Sequence, residues 1–350
     1  MRASLPVAVV LALLGSPTSP YEAAAQELGP VAPLFADTEP LRLRIEADFD
    51  QLKDDRDEEN EERPGSLVIL GADDSEVQYP LEVRTRGRFR LQSRTCRFPP
   101  LRLDVRTGAM DGTPFEGQDK LKLVTHCRDS DRYEQNTVKE YLVYRIYNLI
   151  TDFSFGARLA RITYVDTSGE DDPVERWGFV IEAEEALAER LGGVVNEDGP
   201  TFVPPAVVST ADAIRLTLFQ YMVGNTDFSI YQQHNVVPVD HPDGSVTPVP
   251  YDFDWTGLVD APYARPDPSL NTRNVRQRVF RGLCRVGIDY AAAYADLLTK
   301  RGAITALVES EQALSDDERE DVLDYLEDFW EVLEDEGDVQ REIERSCRSV

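Results

Sequence analysis

Lysine is scarce in this chain: five of its 37 basic residues are Lys (Lys53, Lys120, Lys122, Lys139, Lys300) and the rest are Arg. Histidine is down to three residues and methionine to three. The four cysteines (Cys96, Cys127, Cys284, Cys347) have neither CxxC spacing nor a companion His pair, which argues against a structural zinc site. Beyond the N-terminus no segment is long and apolar enough to cross a bilayer, so no membrane span is expected. A formal net charge of -28 over 350 residues would repel a nucleic-acid backbone, so no nucleic-acid partner is expected either. No Gly-rich GxGxxG loop occurs.

What is present begins with a leader. One Arg precedes an apolar run from Leu5 to Leu14, Pro/Ser breakers follow, and Ala23-Ala24-Ala25 stand before Gln26. This is the layout of a secretory signal peptide cleaved near Ala25/Gln26, so an exported protein, periplasmic or extracellular, is expected. In an oxidising compartment an even cysteine count predicts disulfides. Of the three pairings, 96–127 with 284–347 is preferred because each joins segments close in sequence; free buried thiols are the alternative. A hydrophobic fraction of 41% allows a sizeable core.

Along the chain, residues 26–40 read as an unstructured lead-in. "LRLRIEADF", "SLVILG", "YPLEVRTRGRFR", "FPPLRLDV", "DKLKLVTHC", "ARLARITYVDT" and "ERWGFVIEAEE" read as strands. A charge run at 50–65 reads as a solvated loop. Val138, Leu142, Ile146 and Ile150 have helical spacing. From "EEALAERLGG" onward helices dominate, including "TADAIRLTLFQYMVG" with a Thr cap. Residues 41–184 thus form a β-rich N-terminal part with one main helix, and 185–350 a helical C-terminal part. The order predicts an α+β fold with two lobes and a cleft.

The most informative stretch is "GNTDFSIYQQHNVVPVDHPDGSVTPVPYDFDWTG", residues 224–257. A helix ends, Asp227 falls on a loop, His234-Asn235 enters a strand, and a return strand delivers Asp252 and Asp254. Magnesium takes one or two carboxylates plus phosphates and water. Phosphoryl transfer also needs a carboxylate that orients the attacking hydroxyl. A helix, loop and hairpin in this order can supply both.

With these residues the chain resembles the spore-coat-protein-H (CotH) type of secreted atypical kinase, and more distantly HipA-type and phosphatidylinositol kinases with their "GNxD…N" loop. "VRTRGRFR…CRFPPLRLDV", "KLKLVTHCRDSDRYEQNTVKEYLVYRIYN", "WGFVIEAEEALAERLG" and "YDFDWTG" look like that family's successive motifs over most of residues 80–260. The resemblance implies a bilobal protein-kinase-like fold and transfer of phosphate from ATP, with Mg2+ or Mn2+, to a protein hydroxyl. It implies Asp227 as the catalytic-loop carboxylate, Asn235 and Asp252 as metal ligands, and Asp254 in support. Glu182 falls where adenine would pass, and Lys122 or Lys120 would pair with Glu140 to grip phosphate. The chain departs from the family in a longer loop between Asp227 and Asn235. It also has Pro in "FPPLRL" where the family carries Lys, leaving Arg102 as a substitute for the gripping cation and Lys122 as the preferred one.

Each residue also has a plainer reading. Asp227 suits a turn after a helix, and Asn235 could bond its own backbone. Asp252 and Asp254 alternate on a strand, Lys122 could lie on an exposed strand face, and Glu140 on a helix surface. His126 and His234 have no nucleophile beside them. The Arg-rich stretch 273–285 reads as a salt-bridging partner for the acidic body or as an anionic-acceptor site. The competing functions are a catalytically inactive kinase-like binding or cell-envelope structural protein, and nucleotidyl transfer on the same fold.

Overall fold

The structure is a computed structural model that describes residues 28–348 apart from 107, 196–198, 200 and 286. The expected leader and its cleavage point lie outside the described residues. The chain runs α1 (Pro33–Ala36), β1 (Leu41–Ala47), α2 (Phe49–Asp54), β2 (Arg63–Leu70), β3 (Glu76–Thr85), β4 (Leu101–Asp104), β5 (Lys120–Val124) and α3 (Asp131–Ile150). It continues through β6 (Ala157–Asp166), β7 (Val174–Ile181), α4 (Glu184–Arg190), α5 (Thr210–Met222), β8 (Val236–Asp240), β9 (Val246–Pro250), α6 (Tyr290–Ser310) and α7 (Asp316–Glu334).

Strict alternation drives the first strands: Leu41, Leu43, Ile45 and Ala47 are buried while the Arg and Glu between them point outward. Seven strands close into a barrel in the order β1-β2-β3-β4-β5-β7-β6. Closure comes from a parallel pairing of β1 with β6, Leu41 opposite Ala160 and Ala47 opposite Asp166, while the other pairs are antiparallel. Leu43, Ile45, Val83, Leu103, Leu121 and Ile162 fill the interior. A second apolar cluster starts at Val124, Phe179 and Ile181 and continues through α3 and α5 to Phe329 and Trp330 of α7.

This corrects the expected fold class. A bilobal protein-kinase-like α+β fold, with a β-rich N-terminal lobe and an α-rich C-terminal lobe, is contradicted by the closed seven-stranded mixed barrel. The helices pack on that barrel through one continuous core, with α3 lying against β6, β7 and α6. The pattern of strands followed by helices is the same for both architectures. What separates them is the β1–β6 pairing, a contact between remote segments that alternation alone does not encode.

Local differences follow the same logic. The segment expected as a lead-in contains α1, where Leu34 and Phe35 are buried and Arg158 binds the carbonyls of Leu34 (3.2 Å) and Glu39 (2.9 Å). "RTRGRFR" does not continue as a strand: β3 ends at Thr85 and Gly87 takes a left-handed φ of 93°. The cap of α5 is Ser209, whose hydroxyl accepts from Asp212 N (3.0 Å), rather than Thr210. Both preferred disulfides are present, Cys96–Cys127 and Cys284–Cys347. Among the described residues no helix is long and apolar enough to cross a membrane.

Candidate active site

The loop after α5 is built by two glycines. Gly224, at φ 66°, ends the helix in the left-handed conformation, and its carbonyl accepts from Gly257 N at 3.1 Å. A Cβ on either glycine would run into the Tyr325 hydroxyl, so the stretch 224–257 closes on itself only because both lack side chains. Asn225 is buried and its Oδ1 accepts from Asp227 N at 2.8 Å, an Asx turn that fixes the start of the loop. Its Nδ2 has no hydrogen-bond partner among the described residues.

Asp227 is held from two sides. His234 Nε2 lies 2.8 Å from Oδ1, and Asn235 Nδ2 donates to the Asp227 carbonyl at 2.8 Å and to Oδ2 at 3.1 Å. Asn235 is itself in a left-handed conformation (φ 51°), and its carbonyl accepts from Tyr251 N at 3.1 Å. The residue after Tyr251 is Asp252, also left-handed at φ 60°. Asp227, Asn235 and Asp252 are therefore linked by successive hydrogen bonds and one peptide step at the open end of the β8–β9 hairpin. Two non-glycine residues in this strained region are uncommon, and such positions gather at functional sites.

Next to them sits a buried ionic cluster centred on Arg90. Its guanidinium binds both oxygens of Glu140 (2.8 and 3.2 Å), Asp252 Oδ1 (2.9 Å) and Asp254 Oδ2 (3.3 Å). Burial opposes the Arg90 charge, but the surrounding carboxylates raise its pKa further still. Burial pushes the Asp254 carboxyl well above the usual carboxylate range, with Asp252 and Glu140 adding to the effect against the pull of Arg90. Burial raises Glu140 in the same way. One guanidinium cannot neutralise three crowded carboxylates, so Asp254 holds a proton most readily. The Tyr144 hydroxyl accepts from Asp252 N at 3.0 Å and fixes the backbone there.

A narrow cleft with room for about 10 Å³, little more than one water, opens beside the cluster, lined by Arg86, Arg90, Lys122, Tyr144, Tyr251 and Asp252 among others, with Val124, Phe155 and Ile181 on its apolar side. The Arg86 guanidinium has no hydrogen bond or ion pair among the described residues; burial lowers its pKa against the attraction of Asp252. Lys122 lies 5.5 Å from the Tyr251 ring centroid. On the outer barrel face Arg84 stands opposite Arg102, and Arg102 opposite Lys122, forming a cationic row across three strands.

Asp227, Asn235 and Asp252 come together as expected, and Asp254 is beside them but past the end of β9, not on a strand face. Glu140 pairs with Arg90, whereas Lys122 pairs with Glu184, so the expected Lys122–Glu140 pair does not form. Arg102 flanks Lys122 outside the cavity lining. The Glu182 carboxylate is taken up by Arg190 (2.8 and 3.0 Å) and Gly156 N (2.9 Å) and does not face the cavity. Sequence reasoning missed Arg90, Arg86 and Tyr144. A signal for the arginines exists: four Arg in seven residues around Gly87, in a segment whose alternation reads as a strand.

Among the described residues no group of three or more His, Cys, Asp or Glu side chains is arranged to hold a metal ion. Asn235 Oδ1 and the second oxygen of Asp252 take no hydrogen bond among the described residues, which leaves two oxygens of the types magnesium accepts. Asp254, buried and tied to Arg90, does not fit that role. No protein-family model matches this chain, and no curated protein matches it.

Proposed function

We propose that this chain is an exported, metal-dependent phosphotransferase that moves a phosphoryl group from ATP to a protein hydroxyl. The observation that carries the reading is the linked set Asp227–Asn235–Asp252 at one hairpin end, beside a cleft lined by Arg86, a cation with no ion pair among the described residues. The order of motifs resembling the spore-coat-H kinases supports it, and two disulfides fit an oxidising compartment.

In this reading Asp227 accepts the proton of the acceptor hydroxyl as its oxygen attacks the γ-phosphorus and the bond to the β–γ bridging oxygen breaks. His234 and Asn235 keep the Asp227 oxygens aimed. Arg86 and Lys122 neutralise phosphate oxygens, and Val124, Phe155 and Ile181 exclude water from the inner wall. Asn235 and Asp252 would hold the ion, which supplies charge neutralisation on the phosphates.

A specific observation favours an inactive binding protein as the second reading. Arg90 already occupies Asp252 and Asp254, and Glu184 occupies Lys122. Thermal-shift titration with ATP and MnCl2 separates the two. Stabilisation, followed by γ-phosphate label transfer that falls at least about 100-fold in Asp227→Ala, supports the enzyme. Stabilisation without transfer supports the binding protein, label moving only from the α-position supports nucleotidyl transfer, and no stabilisation sinks the nucleotide site altogether.

A further inference from the structure

Between Glu82 and Asp104 the chain carries seven Arg and no Asp or Glu, although its 65 acidic residues far outnumber the basic ones overall. The sheet turns part of this run into a surface. Val83, Leu103 and Leu121 face the barrel interior, so Arg84, Arg102 and Lys122, which alternate with them, face outward. Strand register sets Arg84 directly opposite Arg102, and Arg102 directly opposite Lys122. All three are partly exposed, and Lys120, one row away on β5, is exposed.

Like charges directly opposite one another on neighbouring strands destabilise a sheet. The protein itself does little to relieve them. Arg102 has no ion pair or hydrogen bond among the described residues, and Arg84 makes only a 3.4 Å bond to the Thr85 carbonyl. Lys122 is shared with Glu184. The carboxylates of the adjacent row are engaged elsewhere: Glu82 pairs with Arg106 at 3.2 Å, and Asp104 accepts from Arg106 N at 3.4 Å.

The size of the row limits what fits it. Three strands about 4.8 Å apart put its outer members about 10 Å from each other, close to the span of three residues in an extended peptide. A nucleic-acid strand or an anionic membrane carries its charge over a far longer span and would also meet the rest of a molecule of net charge -28. A short segment with a few carboxylates meets the row alone, and each Arg fork can bind a carboxylate through two parallel hydrogen bonds. The next outward residue along β3 is Arg86, whose N donates to the Pro100 carbonyl at 2.9 Å, and with Lys122 it lines the cleft beside Asp252. The row therefore leads from the barrel face to the candidate site.

We propose that the outer face of β3, β4 and β5 docks an acidic segment of a partner polypeptide, with its carboxylates on Arg84 and Arg102. Naming that segment as the phosphoryl acceptor rests on the phosphotransferase reading; its docking does not, and is measured without ATP.

Fluorescence anisotropy of the whole chain with a labelled peptide of Glu and Ser, and with the same peptide carrying Gln for Glu, tests this. The acidic peptide is expected to saturate, with the Gln peptide at least about tenfold weaker. Arg84→Gln combined with Arg102→Gln should weaken the acidic peptide about tenfold or more. Arg42→Gln combined with Lys300→Gln removes the same charge elsewhere and should leave its affinity within about twofold. No saturation at millimolar peptide, equal affinity for the Gln peptide, unchanged binding in the Arg84/Arg102 variant, or an equal loss in both double variants would each overturn the proposal. Tighter binding of a thymidine oligonucleotide of the same charge would overturn it too, by marking the face as a nucleic-acid site.

Discussion

At the scale of residues, Arg90 matters most. It is the sole cation bonded to Glu140 and Asp254 among the described residues, and removing it strands carboxylates in a buried site. Arg90→Met should cost about 3–5 kcal/mol in urea unfolding, since breaking a buried pair costs more than the pair contributes. Arg90→Lys should recover only part of this, because a point charge cannot reproduce the fork that binds Glu140 through both oxygens. His126 makes a pH-dependent counterpart. Its folded pKa falls from 6.5 to about 4 through burial, so the unfolded chain binds more protons between these values. Stability therefore drops as pH falls from 6.5 towards 4, by up to about 3 kcal/mol from this residue. His126→Phe should lose that part of the acid sensitivity, as read by the difference between wild-type and variant unfolding free energies at the two pH values. The carboxylates and Asn of the candidate site were legible because turn residues and a hairpin fix their neighbours locally. Arg90 was not, because its partners come from α3 and from beyond β9.

Among the elements, the α5 exit loop is the most tightly specified. Gly224→Ala would lose about 1–2 kcal/mol for its left-handed backbone alone, with the clash against the Tyr325 hydroxyl in addition. Combining it with Tyr325→Phe removes the clashing atom, so the double variant should melt higher than Gly224→Ala alone; equal melting would mean the contact is relieved by backbone movement. The strands and α3 were readable from periodicity, since a half-buried strand must alternate and a core helix must repeat its apolar face. Periodicity failed where side chains obey other partners. Past Thr85 the "RTRGRFR" alternation belongs to a loop, in which Arg88 pairs with Glu58 and Arg90 with Glu140 and Asp254. The Arg-rich stretch is structural in the same sense: Arg276 pairs with Asp321, Arg281 with Asp267, and Arg285 binds the carbonyls of Val208 and Pro205.

For the whole molecule, the excess of acidic residues is the property that composition announces most plainly. With a net charge of -28 the folded state repels itself, while its exposed ion pairs contribute little individually. Raising NaCl from about 10 to about 300 mM shortens the screening length several-fold and should raise the melting temperature; a fall would mean that ion-pair attraction outweighs net repulsion. The disulfide pairing was legible because short sequence separation and the oxidising context agreed. The architecture was not, because an open and a closed sheet share the same strand patterns and differ in one long-range pairing.

That pairing also orders events in time. On a chain made from its N-terminus, β1 emerges early but has only β2 to pair with until β6 has been synthesised, after α3. Until then both the β1 edge and the growing far edge of the sheet present open backbone groups, the kind of edge that recruits other strands. Closure is thus a late checkpoint: a nascent chain released before residue 181 lacks a complete β7, the strand that joins β5 to β6, and is the form most exposed to aggregation.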